Sequence, residues 1–322
     1  MRGGPGGGTA DAGIVFHIQT DRRSDGQGGR NAMKAGFIGA GRVGVTMGAY
    51  FQSKGWPVTG YASRNPGSAR HAADVTGSIA FDSPEELASA SDLLLLTVPD
   101  DALPGVWEEL KAFWPEGSAR KILSHTSGSL TSRVFTDAAA LGVLTCSIHP
   151  MFSFQHRDGR TQGLDNAFFS IEGDAAALKF IQPRIEALGN RVLVLKPEMK
   201  VKYHIASVTA SNFVTALMDL ACRLMQECGI GEADSLAALG PLAECNLAGV
   251  LDKGIARSLT GPVERCDAGT VERQMQALSG RELELYRILS GILVEISQRK
   301  HPERNFSGLK DRLNQTGNRS DG

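Results

Sequence analysis

The sequence predicts an α/β fold, a doubly wound parallel sheet followed by an all-helical C-terminal domain, and three observations carry that prediction. Short apolar runs alternate with helical stretches up to about Leu195. The first run breaks into the series Gly39-Ala40-Gly41-Arg42-Val43-Gly44 where a helix begins. Beyond Lys196 the strand signal stops, and Tyr203, Ala206, Ala210, Phe213, Leu217, Leu220 and Leu224 recur at spacings of three and four.

Each element has its own signal. The strand after Lys34 hands over to a helix from about Val43 to Ser53, and Trp56 to Ala62 gives a second strand. A second helix covers Ser68 to Val75, and Ser78 to Ala80 is a brief third strand. Asp82-Ser83-Pro84-Glu85-Glu86 combines a capping residue, a first-turn proline and acidic side chains, which favour a helix start, with its end near Ala90. Leu93 to Val98 is continuously apolar, as a strand covered on both faces requires. Strands follow at Ile122 to His125, Val143 to Ile148, Ala167 to Ile171 and Val192 to Leu195, the last two flanking a helix near Ala175 to Leu188. The helix starting at Tyr203 is expected to run unbroken to about Gly229, with others at Leu242 to Leu251, Asp267 to Leu278 and Glu282 to Gln298.

The expected domains are a sheet domain over residues 33–197 and a helical domain over 198–301, with disordered tails at 1–32 and 302–322. The first tail is glycine-rich with little apolar periodicity, so it cannot offset its ordering entropy. Met33, directly before the first strand, is expected to be the true translation start.

Thirty-four basic and thirty-five acidic residues leave a formal net charge of −1, which argues against a nucleic-acid partner. No apolar stretch approaches the ~18 residues of a membrane span. Five cysteines without a CxxC pair point to free thiols in a cytoplasmic protein rather than to zinc or disulfides.

The glycine series sits between a strand and a helix, the context of a Rossmann dinucleotide fingerprint, so Gly39, Ala40, Gly41, Arg42, Val43 and Gly44 are expected to hold a pyrophosphate. A purely structural turn is the alternative. At the end of the second strand, where an NAD site carries an acid, the chain reads Ser63-Arg64. A hydroxyl and a guanidinium suit a 2′-phosphate, which predicts NADP (NADPH), although a solvated arginine would read the same. Val98 and Pro99 follow the fourth strand at the carboxyl edge, and Asp100 and Asp101 are expected to cap the next turn.

His125 and His149 are expected just past strand ends on that edge, where an imidazole can exchange a proton while hydride moves. Ser129 is expected to bind the same substrate oxygen, and Lys202 and His204 to face the cleft from the long helix. Buried or solvated side chains without function are the alternative for each. Arg265 is read either as an anion contact or as a structural partner of Asp267.

From Ala35 to about Leu289 the chain resembles a family of short Rossmann-like oxidoreductases whose C-terminal half is catalogued as a domain of unknown function. Gly36 to Gly44, Leu95 to Asp100, His125 to Leu130, Ser147 to Phe154, Tyr203 to Asn212 and Leu259 to Val271 carry the resemblance. The family is similar to the 6-phosphogluconate dehydrogenase, pyrroline-5-carboxylate reductase and prephenate dehydrogenase group. That likeness implies a C-terminal domain of the 6-phosphogluconate dehydrogenase type and a homodimer formed through it. Gly128-Ser129-Leu130 and His149-Pro150-Met151 look like the segments with which prephenate dehydrogenases handle a substrate hydroxyl. Lys202 resembles the lysine of β-hydroxyacid dehydrogenases, but their asparagine four residues on is Ala206 here. The implied activity is NADP-dependent hydride exchange with a small polar carbonyl or hydroxyl compound. The alternatives are an imine reductase and a non-catalytic NADP-binding sensor or interaction protein.

Overall fold

The computed structural model describes residues 33–114 and 121–315, which form two compact units divided after Ser207. The expected N-terminal tail lies outside the described residues.

In the first unit β1 (Ala35–Ile38), α1 (Arg42–Ser53), β2 (Val58–Ala62), α2 (Pro66–Thr76), β3 (Ile79–Ala80), α3 (Pro84–Ala90) and β4 (Leu93–Leu96) follow the expected alternation. Helix α2 starts where Asn65 accepts hydrogen bonds from the Gly67 and Ser68 amides, and α3 where Ser83 accepts from Glu85 and Glu86. Both carry proline in the first turn, where its missing N–H costs nothing. Helix α4 (Leu103–Phe113), absent from the sequence reading, returns the chain to β5 (Ile122–His125), and β6 (Leu144–Pro150), β7 (Phe168–Gly173), α5 (Ala175–Ala187) and β8 (Arg191–Val194) complete the layer.

The eight strands order as β3-β2-β1-β4-β5-β6-β7-β8, with the switch in winding between β1 and β4. All neighbours are parallel except β6 and β7, so the expected all-parallel sheet needs one correction. The reversal follows from the connection between Pro150 and Phe168, which carries only a short 3-10 turn at Leu164–Asn166 and no α-helix to bring the chain back to its starting edge. One core on the α1, α2 and α5 face buries Phe37, Tyr50, Phe51 and Ile181, and another on the α3 and α4 face buries Leu87, Leu94 and Trp107.

Helix α6 (Lys200–Ala210) carries the chain into the second unit, which holds α7 (Asn212–Glu227), α8 (Glu232–Lys253), α9 (Ile255–Ser258), α10 (Ala268–Gln276), α11 (Gly280–Lys300) and α12 (Ser307–Asn314). The single expected helix is broken at Ser211, whose φ of −126° and ψ of −74° leave the helical region. Residues 302–314 are not the expected disordered tail. Phe306, Leu309 and Leu313 bury themselves against Val263, Val271 and Val294, an apolar spacing hidden in a polar segment.

The run Pro197–Glu227 is long and apolar enough to cross a membrane by length and composition alone, and only 6% of its most apolar window is buried. Its first turn is nevertheless committed to protein, because Lys200 is fully buried in the first unit. The cysteines are free as expected, but only Cys146 and Cys222 are buried.

Candidate active site

The carboxyl ends of β1, β4, β5 and β6 share one sheet edge, since these strands run parallel. Gly39 follows β1 with a φ of 105°, and a Cβ there would lie 2.7 Å from the Thr97 carbonyl oxygen. A Cβ on Gly44 would press into the Gly39 carbonyl, whereas one on Gly41 meets nothing within 4 Å. Backbone packing therefore dictates two of the glycines, and the third borders open space. Gly41 is also the N-cap of α1 and offers no side-chain acceptor, so the first-turn amides remain available to a phosphate. Thr97 steadies the turn, its Oγ1 donating to the Gly39 carbonyl at 2.7 Å.

Ala40 and Gly44 are buried, Val43 is half-buried and Arg42 is exposed. Half-buried Ser63 and exposed Arg64 follow β2 immediately before the Asn65 cap, and Arg64 forms no ion pair among the described residues. Val98 and Pro99 follow β4 on the same edge and lead into a short 3-10 turn at Asp100–Ala102.

Beyond β5 a hydroxyl and carboxylate cluster forms. Ser127 Oγ donates to Asp100 Oδ2 at 2.7 Å and Ser129 Oγ to the same oxygen at 3.1 Å. The Ser129 and Leu130 amides in turn donate to Ser127 Oγ, so this serine organises the whole turn. Asp100 is exposed and is held by the hydroxyls through one oxygen.

His149 adjoins this turn. Its Nδ1 lies 2.9 Å from the Tyr203 hydroxyl, and its ring meets the Tyr203 and His204 rings edge to face. Gly128 makes room for the pair, because a Cβ there would sit 2.9 Å from His149 Nε2 and overlap the His204 ring. Burial, together with the charge on Lys200, drives the His149 pKa down to about 4.

Lys200 is 0% exposed and donates from Nζ to the Ser127 carbonyl at 2.8 Å. Burial lowers its pKa to about 8, against the upward pull of Glu172 and Asp100. Glu172 on β7 is likewise buried, and its oxygens accept from the Ser132 amide, the Ser132 hydroxyl and the Ser147 hydroxyl. A cavity of about 340 Å³ beside Glu172 is lined by Ser132, Thr145 and Asp174, but it touches neither the glycine turn nor His149.

The structure thus brings Ser129, His149 and His204 to one turn and leaves His125 and Lys202 out of that group. His125 ends β5 rather than following it, is 0% exposed and accepts the Ser127 amide on Nδ1. Burial, again with Lys200, lowers its pKa to about 3, so it is a core histidine with no surface for a substrate. Lys202 is exposed, whereas Lys200, two residues earlier on α6, is buried and donates to the Ser127 carbonyl. His149 lies within β6, not after it. Asp100 holds serine hydroxyls instead of capping a turn. The sequence reading missed Tyr203, Ser127, Lys200 and Glu172 as site residues; the Ser127-Gly128-Ser129 run after a strand was the available signal for the second of these. In the second unit Arg265 is exposed, and Asp267 caps α10 through the Thr270 amide.

A Rossmann-like domain profile matches residues 18–150, and that of a domain of unknown function, DUF2520, matches residues 167–292. The second match begins at β7, so it takes in the last strands of the sheet as well as the helices. No curated protein matches the sequence. Among solved structures, a protein from Thermotoga maritima is 26% identical with a TM-score of 0.66, over 83% of this chain and 99% of that one. A protein from Bacteroides fragilis assigned as an NADP oxidoreductase is 23% identical with a TM-score of 0.64, over 82% of this chain and 98% of that one. A reductive aminase from Aspergillus terreus, solved with NADPH and ethyl-5-oxohexanoate, is 20% identical with a TM-score of 0.59, over 88% and 100% of the two chains. The expected family resemblance and the α/β fold class are both borne out.

Proposed function

We propose that this chain, which joins a Rossmann-like domain to a domain of the DUF2520 family, is an NADP(H)-dependent oxidoreductase acting on a small polar carbonyl or hydroxyl compound. The observation that carries the reading is one shared edge: the open Gly41 cradle and the Ser129, His149 and Asp100 cluster all sit at carboxyl ends of parallel strands. The residues fit the cofactor. Gly41 and the uncapped amides of α1 would take the pyrophosphate, and Ser63 and Arg64 the 2′-phosphate. The nicotinamide, when bound, supplies or accepts the hydride, while Ser129 and His149 hold the substrate oxygen and its proton.

The exposed Asp100 carboxylate favours a second reading, reduction of an imine, because it would stabilise a cationic C=N group that repels the buried Lys200. The reductive aminase among the structural neighbours is consistent with that chemistry. We also assign the functional unit as a homodimer formed through α7 and α8, where Phe213, Leu217 and Leu247 are 53%, 40% and 59% exposed.

Titration of the purified protein with NADPH and NADH tests the cofactor assignment. Arg64→Ala is expected to weaken NADPH by about 1–3 kcal/mol, the range for a charge-assisted hydrogen bond, and to leave NADH nearly unchanged. Equal losses for both would remove the 2′-phosphate role. A panel of carbonyls, alcohols and cyclic imines then separates the readings, and tight NADPH binding without turnover on any of them would indicate a sensor.

A further inference from the structure

We propose that Tyr203 is a positioning residue that fixes His149 as a proton donor: its phenol donates to Nδ1, so the imidazole presents Nε2–H beside Gly128 and stays neutral, by taking the phenol proton at Nδ1, when that hydrogen leaves. The inference rests on the oxidoreductase reading for its purpose, but not for its geometry.

The 2.9 Å contact between Tyr203 Oη and His149 Nδ1 admits two proton arrangements. A phenol is the stronger donor and an sp² imidazole nitrogen the stronger acceptor, so the proton belongs to the oxygen and points at Nδ1. Ser170 pairs with His149 across the β6 and β7 register and lies beside the same phenol, yet its buried hydroxyl makes no hydrogen bond of normal geometry. It does not compete for the phenol proton. With Nδ1 accepting, a neutral imidazole must carry its hydrogen on Nε2.

Burial keeps the ring neutral, helped by the charge on Lys200. Lys200 and His204 oppose a positive charge on it, Asp100 favours one, and burial outweighs that attraction. Nε2 packs against Gly128, where no side chain stands, beside the His204 ring, and under the oxidoreductase reading it is the ring atom that a substrate oxygen or nitrogen meets.

The proton step balances without a charged histidine. A bound nicotinamide would supply the hydride, and the substrate oxygen or nitrogen left with an electron pair would take the Nε2 proton. Nδ1 gains the Tyr203 proton and the phenol becomes phenolate; Nε2 then takes a proton from solvent and Nδ1 returns its own to the phenolate, which restores the starting arrangement. Burial raises the Tyr203 pKa, which makes the phenolate short-lived and the reprotonation favourable.

Long-range ¹H–¹⁵N spectra of the full chain labelled at histidine, with His149→Gln to assign the signals, test the arrangement without any substrate. The wild type is expected to show Nε2–H at neutral pH in at least a ~10 to 1 ratio, with Nδ1 shifted as a hydrogen-bond acceptor. In Tyr203→Phe the Nδ1 shift is lost and the ratio falls about tenfold, the factor set by one net hydrogen bond. A wild-type spectrum with the hydrogen on Nδ1, or a Tyr203→Phe spectrum unchanged at Nδ1, overturns the proposal. The wild-type spectrum decides even if the variant fails to fold. Absence of NADPH binding would sink the oxidoreductase reading and leave these spectra as they are.

Discussion

His149 and His125 are both held neutral far below the ordinary histidine pKa of about 6.5, at about 4 and about 3, and this ties stability to acid. The unfolded chain binds their protons first. Their contribution is therefore complete above pH 6.5 and is lost as pH falls through 6.5 toward the folded values, with a slope of up to about 1.4 kcal/mol per pH unit for each group. Urea unfolding between pH 7 and 4.5 is expected to show that loss, and His125→Asn to remove about half of the slope. A flat profile would mean that both rings charge freely. Removing the charge in Lys200→Met is expected to raise the His149 pKa toward 6.5, read from its imidazole shifts. At this scale the sequence pointed to His149 and Ser129 because each was expected just past a strand, although His149 lies within β6. It did not distinguish Lys200 from Lys202, since both lie on the first turn of α6 and only docking against the Ser127 carbonyl decides which is buried.

Elements carry a different kind of constraint, clearest in the turn between β1 and α1. Gly44→Ala would drive a Cβ into the Gly39 backbone, and a destabilisation of about 1–3 kcal/mol is expected from overpacking, with loss of dinucleotide binding. Gly41→Ala meets no protein atom within 4 Å, so the melting temperature should hold while NADPH binding falls. Calorimetry with and without NADPH separates the two variants, and a Gly41→Ala protein that binds normally would contradict the cradle. The strand, glycine and cap signals made most of this unit legible before any coordinates. Helix α4 went unread because Pro104 and Gly105 open it without a polar side-chain cap. The direction of β7 went unread because an apolar alternation is the same read in either sense.

Over the whole molecule, the second unit leaves large apolar side chains in water, Leu251 being 79% exposed and Leu242 60%. Light scattering at micromolar concentration is expected to give twice the chain mass, and Leu217→Glu with Leu247→Glu to shift it toward the monomer. A monomeric wild type would remove the assembly claim. The Tyr203 to Leu224 seam was expected on one unbroken helix, whereas the break at Ser211 divides it between α6 and α7. The reversed strand has a separate consequence. The chain between Pro150 and Phe168 crosses back over the first unit, with Gly159 against Val75 and His71 bonded to the Arg157 carbonyl, while β6 and β7 stay joined by five registered residue pairs. A protease nick there would leave one fragment ending in β6 and another beginning with β7, each holding half of a matched seam. Two such pieces, produced separately, have the complementary edges needed to find each other and rebuild the sheet.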